Sequence, residues 1–174
     1  MIAGPSRKRC LQSISIDSNL QIASDLPRGE DPMESTFTGG CLCGAVRYEC
    51  AGEPVAAGHC HCVDCRKSSG SGHCSHLVVQ EVAFRVSGEV KFFDAPADSG
   101  NIVSRGFCPT CGSAIYSKNS GMPGMLFPRA SSLDDPEVFV PQMVVYASRA
   151  PSWDRPDASI PTFDSMPPKE SMPV

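Results

Sequence analysis

The late chain holds no apolar run longer than Met143 to Ala147, far short of the roughly 20 apolar residues that span a bilayer. No membrane anchorage is therefore expected. The sequence has no basic surplus either. Its net charge is −4 and its pI about 5.5, which argues against broad nucleic-acid binding. Arg7, Lys8 and Arg9 are followed by no apolar segment, so a secretory signal is not expected. There is no repeat of fixed period, no heptad pattern and no glycine-rich phosphate loop. There is one tryptophan, Trp153, which together with Phe163 reads as a packing residue.

What the chain has in excess is cysteine. Ten cysteines stand beside sixteen prolines and fifteen glycines in 174 residues. Proline and glycine at that density suit short strands joined by turns. Without a secretory signal the expected compartment is cytoplasmic and reducing, where clustered cysteines hold metal more often than they form disulfides. Residues 1–36 are rich in Ser, Asp, Gly and Pro and read as a disordered extension. Residues 37–165 read as one zinc-binding domain and 166–174 as a proline-rich tail. Within the domain, alternation predicts strands over 45–50, 55–58, 73–79, 83–86, 89–94, 102–107, 113–117, 124–128 and 138–146. One short helix is expected over Val63–Ser69, closed by Gly70. The class is mainly β.

Three motifs carry the chemistry. Gly39-Gly40-Cys41-Leu42-Cys43-Gly44 sets two thiols in a turn whose glycines let backbone wrap around sulfur. Cys108-Pro109-Thr110-Cys111-Gly112 is a knuckle: proline sets the turn and glycine allows the tight exit that aims N–H groups at a thiolate. A structural zinc needs four ligands, and Cys41, Cys43, Cys108 and Cys111 supply four. Between them lies Cys60-His61-Cys62-Val63-Asp64-Cys65. Cys60, Cys62 and Cys65 give three ligands and leave a fourth position, as catalytic zinc sites do. His59, His61, His73, His76 or Cys74 could instead close that site. His61 alternates with its cysteine neighbours and should point away, while His73 and Cys74 lie beyond the glycine turn and are the better placed. Arg66, Lys67 and Arg105 could offset thiolate charge or bind carboxylates. Ser68, Ser69 and Ser71 read as turn formers, Asp64 as a helix-start residue or a proton shuttle, and Cys50 as core. Cys10 falls in the extension.

These three motifs, taken in order, resemble those of the glutathione-dependent formaldehyde-activating enzyme family, whose domain also occurs in centromere protein V. The resemblance covers about residues 37–165. It implies a β-tent (Mss4-like) fold of short antiparallel sheets with one or two short helices. It also implies two zinc ions, one structural on Cys41, Cys43, Cys108 and Cys111 and one catalytic on Cys60, Cys62 and Cys65. The implied activity is that of a carbon–sulfur lyase joining glutathione and formaldehyde to S-hydroxymethylglutathione, so the expected partner is a small molecule such as glutathione. Two other readings fit the same motifs. One is a zinc hydrolase of another small electrophile. The other is a non-catalytic, zinc-stabilised binding module.

Overall fold

The computed structural model describes residues 36–168. The extension expected over 1–36, apart from Thr36, lies outside the described residues, as do Cys10 and the end of the proline-rich tail. Ten strands and one α-helix follow in order: β1 (Thr36–Gly40), β2 (Arg47–Ala51), β3 (Ala56–Cys60), α1 (Val63–Ser69), β4 (Cys74–Gln80), β5 (Phe84–Ser87), β6 (Lys91–Pro96), β7 (Ile102–Phe107), β8 (Ala114–Asn119), β9 (Met125–Pro128) and β10 (Met143–Val145). Single 3₁₀ turns lie between strands at Glu81–Ala83, Ala130–Ser132 and Pro136–Val138, and another follows β10 at Ala147–Arg149. The mainly β expectation holds.

The strands form a small sheet in the order β1-β2-β5 and a larger one in the order β10-β3-β4-β9-β8-β7-β6. Two sheets leaning on one core is the tent arrangement that the resemblance implied. The alternation of β1 and β2 places Phe37, Tyr48 and Cys50 inward. They meet Val46, Leu77, Val79, Phe84, Ile115, Tyr116 and Leu126 from both sheets in a single cluster. Tyr48 stacks on Phe84 at 4.8 Å between ring centroids, and Phe84 leans on Tyr116 at 5.3 Å. Leu77 and Ile115 are fully covered, and each such side chain contributes roughly 2 kcal/mol through burial. Cys50 is a core residue, as expected.

Three features differ from the sequence reading. The long strand expected over 138–146 is reduced to Met143–Val145, because Pro136 opens a 3₁₀ turn and Pro141 has no N–H to give to a ladder. The sheets are not wholly antiparallel: β10 pairs β3 in parallel, Val145 opposite Cys60. Trp153 is not a packing residue, being 71% exposed. No helix among the described residues is long and apolar enough to cross a membrane.

Candidate functional site

The four outer cysteines converge. Cys41 opens the turn after β1, and its N–H donates to the Val46 carbonyl at 3.0 Å while its Sγ accepts from the Val46 N–H at 3.2 Å. Cys43 Sγ lies 3.5 Å from Cys41 Sγ and 3.8 Å from Cys108 Sγ. The knuckle follows a register shift in the β7–β8 ladder at Gly106 and Phe107. Such a bulge re-aims the chain, and Cys108 enters the interior fully buried. The turn is closed by Gly112 N–H to the Cys108 carbonyl at 2.9 Å, with Gly112 at φ 74°, a conformation that glycine adopts without strain. The Ser113 hydroxyl, 3.2 Å from Cys111 Sγ, leads the contacts that bring that thiol down to about 5. The four sulfurs lie within 4.8 Å of one another and could hold one metal ion.

The inner triplet is built by one strand end and one helix start. Cys60 is the last residue of β3, and Cys62 caps α1 in extended conformation, φ −61° and ψ 156°. Its sulfur accepts from the Cys65 N–H at 3.3 Å, so the helix start itself draws the second and third thiols together. Gly70 ends the helix at φ 72°. The three sulfurs form a second group within 4.8 Å. Contact with Cys60 and then Cys65 pulls the Cys62 thiol far down, to about 2. Cys62 in turn pushes Cys60 up to about 12, and both neighbours push Cys65 upward. Left to protein groups alone, the cluster thus favours a single thiolate. Three thiolates at this spacing need a cation among them, and a borderline-soft divalent ion suits that donor set.

The triplet opens into a cleft of about 370 Å³. Apolar side chains, among them Val63, Val78, Val103 and Phe127, form much of its wall, and Arg105, Arg129, Tyr146 and Arg149 also face it. Arg105 is held by Asp64 at 3.2 Å, so Asp64 acts as an anchor for that arginine at the helix start. Arg149 pairs with Asp98 at 2.5 Å and lies 4.9 Å over the Tyr146 ring. Tyr146 stands at φ 58°, the one described non-glycine residue with positive φ. Backbone strain of that kind gathers at functional sites. Arg129 is 3% exposed, contacts Cys74 Sγ closely and reaches His76 at 3.2 Å. Its charge therefore sits beside Cys74 and His76 in the wall of the cleft.

The structure also sorts the candidates for a fourth ligand. His76, not His73 or Cys74, reaches the triplet, with Nε2 at 3.5 Å from Cys65 Sγ. Burial, and then Arg129, push its imidazole down to about 3, so it stays neutral. His73 turns instead to Asp154 at 2.7 Å, and Cys74 turns to Arg129. Strand parity separates the two histidines, since His76 lies on the same face of β4 as Cys74 while His73 precedes the strand; Cys74 is set apart by its contact with Arg129. His61 points away from the thiols, as its position between Cys60 and Cys62 predicted, and is 2% exposed. His59 bonds Ser75 Oγ through Nδ1 at 2.9 Å. Ser69 closes the turn after the helix, its hydroxyl donating to the His73 carbonyl at 2.8 Å. Arg129, Tyr146 and Arg149 escaped the sequence reading. They come from segments with no motif of their own.

A family described as "Glutathione-dependent formaldehyde-activating enzyme" matches residues 36–149. A Halomonas elongata protein named "Putative glutathione-dependent formaldehyde-activating enzyme" is 29% identical over 127 residues, covering 66% of this chain and 77% of that protein. A crystal structure of a Rhodobacter sphaeroides protein aligns at 21% identity with a TM-score of 0.47, covering 58% of this chain and 93% of that one. The family match takes in all seven clustered thiols and the strand end and helix that bear the triplet, and on that match this chain belongs to the glutathione-dependent formaldehyde-activating enzyme family.

Proposed function

We propose that this chain is a zinc-dependent carbon–sulfur lyase acting on thiol–aldehyde adducts, interconverting glutathione plus formaldehyde with S-hydroxymethylglutathione. In this reading Cys41, Cys43, Cys108 and Cys111 hold a structural zinc, and Cys60, Cys62 and Cys65 hold a catalytic one. The observation that carries it is the triplet itself: three convergent sulfurs facing a cleft, with no fourth cysteine in their group among the described residues. Bound there, zinc would supply a Lewis-acid position that favours thiolate over thiol near neutral pH.

The chain's own residues do the rest. Arg129 contacts Cys74 and His76 and shares the cleft wall with the triplet, where its positive charge favours bound anions. Arg105 and Arg149 face the cleft and are the groups to receive the two carboxylates of glutathione. The apolar wall excludes water and strengthens these contacts. In the forward direction the substrate's thiolate sulfur forms a bond to the formaldehyde carbon, and the carbonyl electron pair passes to oxygen as alkoxide. That oxygen takes a proton from the Tyr146 hydroxyl, which solvent then restores. The Tyr146 hydroxyl lines the cleft and has that proton to give at neutral pH, since burial and then Cys60 hold it in the protonated form. A reducing, cytoplasmic setting fits nine free described cysteines.

Exchange NMR with ¹³C-formaldehyde and glutathione tests the reading, since it separates catalysed from spontaneous exchange. The enzyme should raise the exchange rate above the uncatalysed one. A fully zinc-loaded chain that leaves that rate unchanged would sink the proposal.

A further inference from the structure

A third group of potential ligands stands apart from both thiol clusters. His61, His73 and Asp154 bring their donor atoms within 4.8 Å of one another. Asp154 Oδ2 is 2.7 Å from His73 Nδ1 and 3.8 Å from His61 Nδ1. Both spacings fall inside the roughly 4.2 Å that two ligands of one ion can span when each lies about 2.1 Å from it.

His61 is the informative member. Its side chain is 2% exposed, and its Nδ1 is buried with no hydrogen-bond partner. The ring also hydrogen-bonds the Gly72 backbone. A carbonyl there fixes the proton on the other nitrogen and leaves a lone pair on Nδ1. That lone pair faces a carboxylate oxygen. A lone pair and an anion at this distance repel unless something positive lies between them. Gly72 has its own part in the arrangement: a Cβ there would lie 2.1 Å from Asp154 Oδ2. Only a residue without a side chain lets the carboxylate approach. His73 and Asp154 keep side-chain exposures of 26% and 21%, so an ion could enter from solvent.

We infer that His61, His73 and Asp154 form a third metal site, one that takes a divalent transition-metal ion through two imidazoles and a carboxylate. Nitrogen and oxygen donors of this kind suit zinc, cobalt, nickel or ferrous iron. The ion would replace the proton that His73 Nδ1 now shares with Asp154. It would also tie the loop bearing Asp154 to the peptide between Cys60 and Cys62, fixing the segment that carries the triplet.

The test is a Co²⁺ titration of the full chain with its thiols already loaded with zinc. One further equivalent of Co²⁺ should bind and give weak d–d bands without the intense thiolate-to-cobalt charge transfer of a cysteine site. His73→Ala and Asp154→Asn should each weaken that binding at least tenfold while the zinc content of the thiols stays unchanged. Absence of the nitrogen–oxygen type of spectrum in the natural chain overturns the site, and so does its persistence in both variants. Thiolate charge transfer reports separately on the two cysteine clusters, so failure there is distinguishable from failure here.

Discussion

Cys62 does two things at once. It caps α1 through the Cys65 N–H, and its thiol is the one most drawn down by its neighbours. Cys62→Ala should therefore abolish the thiol-dependent exchange while the chain keeps its fold and about one zinc, read by metal analysis beside circular dichroism. The lost cap costs only about 1 kcal/mol. Full activity in that variant, with the second metal absent, would refute the role assigned to the triplet. Arg149 bears on substrate instead. It lies at the mouth of the cleft, paired with Asp98. Arg149→Ala should raise KM for glutathione about tenfold with little change in kcat, the size expected for one charged hydrogen bond. A smaller, uncharged thiol should be indifferent to the change.

The cysteine motifs were legible because their information is local. A Cys-x-x-Cys pair with proline and glycine folds its own turn wherever it sits, and the Gly112 conformation at φ 74° shows that turn formed. Gly112→Ala tests the element directly. A Cβ there meets nothing within 4 Å, so the cost is backbone strain alone, roughly 1–2 kcal/mol. Urea denaturation should show that loss as a lower midpoint at unchanged slope. The same local logic placed α1 over Val63–Ser69. It failed on β10. The stretch over 138–146 alternates well enough to read as one strand, but Pro141 leaves a ladder position without a donor. Only Met143–Val145 pairs, and it does so with β3 from far along the chain. A parallel partner of that kind leaves no mark in the segment's own pattern.

At the scale of the whole molecule the two thiol clusters have unequal structural weight. The outer four join the turn after β1 to the β7–β8 knuckle, and Cys43 and Cys108 are 65 residues apart. An ion held by all four would restrict the unfolded chain and tie those two segments together. Cys108→Ser should cost at least about 2 kcal/mol, since it loses the ion and buries a hydroxyl at a fully covered position. Cys62→Ser should cost less, because the triplet spans only β3 and α1. Equal losses in thermal melts of the two variants would contradict this division of labour.

The sequence by itself determined the two cysteine pairs and the triplet, the short helix and the mainly β class. Each of these follows from residues adjacent in the chain, whose turn chemistry and alternation act without reference to the rest of the fold. Only the tertiary structure decided what surrounds the triplet. His76 rather than His73 reaches Cys65 because strand parity and the β3–β4 register turn it that way. Arg129 sits beside His76 because of the bridge between them, and Tyr146 and Arg149 reach the cleft because β10 lies along β3. The meeting of His61, His73 and Asp154 is of the same kind. Residues 81 apart come within hydrogen-bonding distance through long-range packing, which no short-range pattern encodes.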